Sequence, residues 1–338
     1  MEINLKLNES PFPPSPLSIQ MAMNYISSSN RYEIEELREN LIEELAKYSG
    51  VDKEMIEIFP GSSYQLLLSL IYAKVNTLQF IAPFPTFHVM YDLAEVYKVD
   101  MKDVELEGEN YTLPVERLIE NSKGSIVYIS NPNNPTSNIL LEDEGIVRKL
   151  SKYAKLLILD EAYYEFSRLT FSQLAYELEN IMIVRTLSKA FSIAGARIGY
   201  TISNKHVKET INSMRVGYEV PIVSQAMALG ALRDLEYMRK SVDSIISTRD
   251  FIREKLLERG IWSPKSYTNF LLIDLPFECS TVERELKRSG IEVLCLSDVK
   301  KFRAKFSKKM RVTVGSREEM EIFLEKITEI TSNRNGRL

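Results

Sequence analysis

The chain of 338 residues is 44% hydrophobic and 27% charged, enough to bury one large core or two moderate ones. Its formal net charge of -4 and isoelectric point near 5.6 give no electrostatic reason to expect nucleic acid or an anionic membrane as partner. The two histidines, His88 and His206, stand in no nucleophile or zinc pattern; triad and metal hydrolysis are unsupported, no metal is expected, and both read as structural residues.

Met1 to Ser10 alternates apolar and polar residues and lacks the continuous apolar run of a secretion signal. No later run reaches the length of a membrane span, so the expected location is the cytoplasm. The proline-rich stretch Ser10 to Pro16 is expected to cross the surface as an extended arm. From about Val51, short β-rich apolar runs alternate with longer amphipathic segments, the pattern of an α/β protein with a largely parallel sheet. Strands are predicted over 78–81, 125–129, 156–159, 181–185 and 197–202, and helices over 62–72, 86–96 and 142–153.

The pattern changes near Asp234. A long charged helix is predicted over 234–259, then short strands over 270–274, 291–294 and 310–314, and a last helix from Arg317: a second, smaller α+β unit. The expected division is an arm over 1–29 that joins the small domain, a large domain over 30–233 and a small domain over 234–338. Cys279 and Cys295 form no CxxC pair and are read as two free thiols in a reducing compartment, not as a disulfide or zinc site.

Ligands of open α/β sheets collect beyond the carboxyl ends of the strands, so the polar residues just after each strand are the candidates. The run Ser130-Asn131-Pro132-Asn133-Asn134-Pro135-Thr136-Ser137 follows one strand as a turn that presents amides. Asp160-Glu161-Ala162-Tyr163 follows the next. Arg185-Thr186-Leu187-Ser188-Lys189-Ala190-Phe191 follows a third and leads through Gly195 to Arg197. Singly, each is a cap, a turn or a solvated lysine; as an ordered set at successive strand ends they point to one site.

These segments resemble the fold-type I pyridoxal-phosphate-dependent aminotransferases, class I and II, and within them the histidinol-phosphate aminotransferase group. The resemblance starts at Lys6-Leu7-Asn8-Glu9-Ser10-Pro11-Phe12. It continues through Gly61-Ser62-Ser63, Pro85-Thr86-Phe87, the Asn131 to Thr136 turn, Asp160 to Tyr163 and Ser188 to Phe191. Arg197-Ile198-Gly199-Tyr200 and Arg311-Val312-Thr313-Val314-Gly315 complete it. It implies an α/β fold with a mostly parallel seven-stranded sheet between helices, plus the smaller α+β domain.

It also implies pyridoxal 5'-phosphate as cofactor, held by Lys189 as a Schiff base, with Asp160 against the pyridine nitrogen, Asn134 and Tyr163 at the ring oxygen and Phe87 on the ring face. The phosphate would meet the backbone amides of Ser62 and Ser63 at a helix start, with Thr186, Ser188 and Arg197. Tyr32 would reach that phosphate in a partner subunit of a homodimer. Arg311 would bind the donor's anionic group, with Asn134 and Phe12 beside it. The implied reaction is amino transfer from histidinol phosphate or an aromatic amino acid to a 2-oxo acid such as 2-oxoglutarate, in ping-pong fashion through pyridoxamine phosphate.

Two departures stand out. Ser63 replaces a common acidic residue, which leaves backbone donation intact. Leu294, Cys295 and Leu296 stand where the histidinol-phosphate group usually carries an arginine, which admits an aromatic or aliphatic donor unless Lys300, Lys301 or Arg303 supplies the charge. A threonine-phosphate decarboxylase shares most of these motifs and is the alternative. A transcription regulator would need a DNA-binding domain ahead of Lys6, and a Rossmann protein would need further glycines after Gly61.

Overall fold

The computed structural model describes residues 2–335. The arm begins with a short strand, β1 (Ile3–Asn4), and crosses extended to Ser15, whose hydroxyl caps helix α1 (Pro16–Tyr25) with Pro16 in the first turn. Helix α2 (Glu35–Ser49) buries Leu37, Leu41 and Leu45, the i, i+4, i+8 stripe of a core-facing helix, and stops at Gly50 in the left-handed region.

The central sheet then forms in alternation with helices. Its first part comprises β2 (Ile56–Phe59), α3 (Ser62–Val75), β3 (Phe80–Phe84), α4 (Val89–Tyr97), β4 (Met101–Glu105), α5 (Val115–Asn121) and β5 (Ile126–Ser130). The second part comprises α6 (Glu144–Tyr153), β6 (Leu156–Asp160), α7 (Tyr164–Ser167), β7 (Ile181–Thr186), β8 (Gly199–Ser203) and α8 (Lys205–Asn212). The seven strands lie in the order β2-β8-β7-β6-β5-β3-β4, and only β8 runs antiparallel to its neighbours. Strands β5, β6 and β7 are buried along their whole length because helices cover both faces.

Helix α9 (Ile222–Leu232) packs on α1 so closely that a Cβ on Gly230 would lie 2.6 Å from the Leu17 carbonyl oxygen. The long α10 (Leu235–Glu258) leads to a three-stranded antiparallel sheet and its helices: β9 (Phe270–Asp274), α11 (Cys279–Arg288), β10 (Ile291–Glu292), β11 (Leu294–Cys295), β12 (Lys309–Thr313) and α12 (Arg317–Asn335). Strand β12 lies between β11 and β9, while β10 pairs in parallel with β1 of the arm. No helix among the described residues is long and apolar enough to cross a membrane.

Three expectations need correction. Cys279 and Cys295 are disulfide-bonded, not free thiols: the start of α11 packs against β11 and brings their Cα atoms within 5.7 Å. The helix predicted from Thr86 starts at Val89, because the buried Thr86 hydroxyl is spent on Asn133 Oδ1 at 3.0 Å. The strand predicted from Arg197 starts at Gly199, because Arg197 has φ of 50° and cannot be extended.

Candidate active site

The carboxyl ends of β5, β6 and β7 open on a cavity of about 310 Å³. Eleven of the predicted residues line it: Ser62, Ser63, Phe87, Asn134, Asp160, Tyr163, Thr186, Ser188, Lys189, Arg197 and Arg311. Leu7, Asn8, His88, Val89, Ser130 and Ala162 complete the wall. Phe12 is outside it and packs on the main hydrophobic core, and Tyr32 is 84% exposed with its ring against Tyr218. Lys300 pairs with Glu95, Lys301 with Asp103, and Arg303 reaches the Ser297 carbonyl; none lines the cavity.

Asp160 ends β6 in the floor. Tyr128 donates to its Oδ2 at 2.8 Å and the Ala162 amide donates to its Oδ1 at 3.1 Å. Burial nevertheless raises its pKa to about 6, so the site stands ready to welcome a cationic N–H. The strand ends are fixed from behind: buried Arg185 Nη2 lies 2.9 Å from buried Glu161, and its guanidinium sits over the Tyr164 ring. An ion pair this deep is costly to break because either partner would be left charged and dry.

Lys189 points into the cavity and donates to the Leu7 carbonyl at 3.2 Å. Its pKa is lowered to about 8, first by burial and then by the positive charge of Arg311, with Glu9 opposing. A half-buried amine that feels the charge of two arginines is a usable nucleophile and base at mild pH.

One end of the cavity is built for an oxyanion. Helix α3 starts at Ser62 with Gly61 as its N-cap and no side-chain cap, so its first amides and the positive helix end face the cavity. Gly61 has φ of +88°, and a Cβ there would lie 2.7 Å from Arg197 Nη2. Gly199 lets β8 approach this turn, since a Cβ on it would lie 2.7 Å from the Ser62 nitrogen. Thr186 Oγ1 donates to Ser188 Oγ at 2.9 Å, which fixes both hydroxyls beside Arg197.

The other end belongs to Arg311, which is only 5% exposed. Its Nη1 donates to Asn134 Oδ1 at 2.9 Å and its Nη2 to the Lys6 carbonyl at 2.7 Å, while its buried Nε has no partner. Asn8 donates to Tyr163 Oη at 3.0 Å and Asn134 does so at 3.4 Å, while burial pushes the Tyr163 phenol up to about 12. Asn8 is a wall residue that the sequence does not single out, because it is the arm's return to the strand ends that brings it to Tyr163.

The aminotransferase class I and II family model matches residues 1–327. The chain belongs to that family. It is a pyridoxal-phosphate-dependent transaminase. The chain is 31% identical over 341 residues to a histidinol-phosphate aminotransferase of Sulfurisphaera tokodaii, covering 99% of this chain and 92% of that protein. It superposes with TM-score 0.84 and 22% identity on the Sinorhizobium meliloti histidinol-phosphate aminotransferase solved with pyridoxal 5'-phosphate, covering 98% of this chain and 91% of that one. An aspartate aminotransferase of Thermotoga maritima fits with TM-score 0.82 and 22% identity, covering 98% and 92%. The fold is therefore shared by transaminases of different donors, and the donor has to be argued from the pocket.

Proposed function

We propose that the transaminase takes its amino group from a donor whose single anionic end meets Arg311, with histidinol phosphate as first candidate, and passes it to a 2-oxo acid. The observation that carries this is the buried Arg311, with an unpartnered Nε, in the same cavity as Lys189 and Asp160. The names of the relatives favour histidinol phosphate as the donor and amino transfer over decarboxylation of a phosphothreonine-like substrate.

The residues fit the cofactor: a carboxylate that burial penalises, an uncapped helix start beside an arginine, and a buried amine of lowered pKa. Ser62 and Ser63 amides, Thr186, Ser188 and Arg197 would hold its phosphate. Asp160 would hold the proton of its pyridine nitrogen, Tyr163 and Asn134 its ring oxygen, and Phe87 its ring face. Bound there, pyridoxal phosphate supplies a carbonyl for amine exchange and an electron sink that acidifies the donor's Cα proton. Lys189 Nζ is the group that takes that proton. Arg311 orients the donor.

A second reading has an aromatic amino acid as donor. Arg311 pairs with Leu272 on one side and Leu294 on the other, and both leucines belong to an apolar cluster with Phe84 and Phe302. On this reading the α-carboxylate would meet Arg311. We further propose a cytoplasmic homodimer in which Tyr32 reaches the partner's phosphate end, with the arm and domain boundaries given above.

The test is the visible spectrum of the protein with pyridoxal phosphate, followed by histidinol phosphate or tyrosine with 2-oxoglutarate, and by a phosphothreonine-like substrate alone. Lys189→Ala should lose the absorbance of the covalently held cofactor, and its retention would overturn the assignment. Keto-product formation from histidinol phosphate supports the first donor, formation from tyrosine alone selects the second, and carbon dioxide release from the phosphothreonine-like substrate would select a decarboxylase.

A further inference from the structure

The donor end of the cavity holds one titratable side chain with no role so far, His88. It is the N-cap residue of α4 and lines the wall with Val89, beside the first turn of that helix, where no side chain caps the amides. Its ring stands edge-on to Phe87 at 5.6 Å between centroids. No hydrogen bond to its ring nitrogens is found among the described residues. Burial, and then the positive charge of Arg311, hold its pKa below the ordinary value, with Asp92 one turn along α4 opposing. By geometry it stands at the start of α4 beside Phe87, in the same cavity wall as Arg311.

Strand β11 and the turn that follows it, where a second cation would stand, carry Leu294 and Leu296 instead, and Lys300, Lys301 and Arg303 lie outside the cavity. A phosphomonoester dianion at Arg311 would then face one guanidinium, whose Nε is free, and the positive end of α4. A half-buried imidazole next to that anion gains a proton readily, because an opposite charge a few ångströms away raises a histidine pKa by roughly one to three units.

Resting on the reading of Arg311 as the donor's anion site, we propose that His88 is a specificity-determining residue that shares a phosphomonoester dianion with Arg311 and enters that contact as imidazolium. The other charged and titratable groups of the cavity are Asp160 and Tyr163 at the end of β6, Lys189 and Arg197 after β7, and Arg311 on β12. Of these only Arg311 acts on His88, and its charge is what the bound anion neutralises. A monoanionic carboxylate needs no second cation, so His88 separates phosphorylated donors from amino acids.

The chain has only two histidines, so each ring can be followed by nuclear magnetic resonance in the cofactor-loaded protein, with His206 as internal reference. Adding inorganic phosphate should raise the His88 midpoint by about one unit or more and leave His206 in place. Arg311→Met should abolish the shift. His88→Gln should raise the ratio of KM for histidinol phosphate to KM for tyrosine at least tenfold, and that ratio should fall as pH is lowered only in the unsubstituted protein.

Phosphate that binds through Arg311 without moving the His88 midpoint overturns the proposal and leaves Arg311 standing. Phosphate that does not bind the unsubstituted protein at all overturns both. An unchanged KM ratio in His88→Gln also overturns the proposal.

Discussion

Replacing Asp160 by Asn should stabilise the cofactor-free protein at pH 8 while abolishing transamination. Burial raises this carboxyl from 3.8 to about 6 against two hydrogen bonds that favour the charged form. A carboxyl whose pKa is higher folded than unfolded binds its proton more tightly in the folded state. Its contribution is fully present below about pH 3.8 and is lost as pH rises through about 6. A gap of about two units is a penalty of roughly 3 kcal/mol at pH 8. Asn removes that penalty but cannot accept from both Tyr128 and the Ala162 amide, which costs about 1 kcal/mol. The net gain of about 2 kcal/mol corresponds to a Tm increase of about 3 °C for a chain of this length. Scanning calorimetry of both cofactor-free proteins at pH 8 and pH 4 reads it directly. The gain should be present at pH 8 and absent at pH 4, and adding pyridoxal phosphate should stabilise the unsubstituted protein more than Asp160→Asn. An equal or lower Tm for the variant at pH 8 would refute the account of Asp160 as a carboxylate held in waiting for a cation.

Two further outcomes test the scaffold. Gly61→Ala combines a strained φ with a Cβ 2.7 Å from Arg197 Nη2, so cofactor affinity measured by absorbance titration should fall roughly 10- to 100-fold, about 1 to 3 kcal/mol. Cys279→Ser with Cys295→Ser opens a loop whose ends lie 16 residues apart, which should cost about 3 kcal/mol and lower Tm by about 4 °C, while reductant lowers the Tm of the unsubstituted protein toward the same value.

What could be read in advance follows burial. Strands β5, β6 and β7 are covered on both faces, so they stand in the chain as unbroken apolar runs, and polar residues at and just beyond their ends line the candidate cavity. Strand β4 is the sheet edge: only Val104 is buried in Met-Lys-Asp-Val-Glu, so no apolar run announces it. The disulfide depends on how α11 meets β11 and leaves no trace in a spacing of 16.

Asn8 and His88 were illegible for a different reason. Asn8 reaches Tyr163 because β1 pairs with β10 and the arm then runs along β12, where the Thr313 amide donates to the Leu5 carbonyl and the Asn8 amide to Thr313 Oγ1. His88 becomes a pocket residue because the start of α4 lines the same cavity as Arg311, more than two hundred positions later in the chain. Strand ends announce chemistry that every member of such a fold needs, since the same cofactor meets the same sheet. The residues proposed to meet the donor come from an arm, a helix start and a distant strand, so their partners are set by tertiary packing. Substrate choice is therefore the part of this enzyme that a motif cannot carry, and the cavity wall that holds Arg311 and His88 is where it has to be measured.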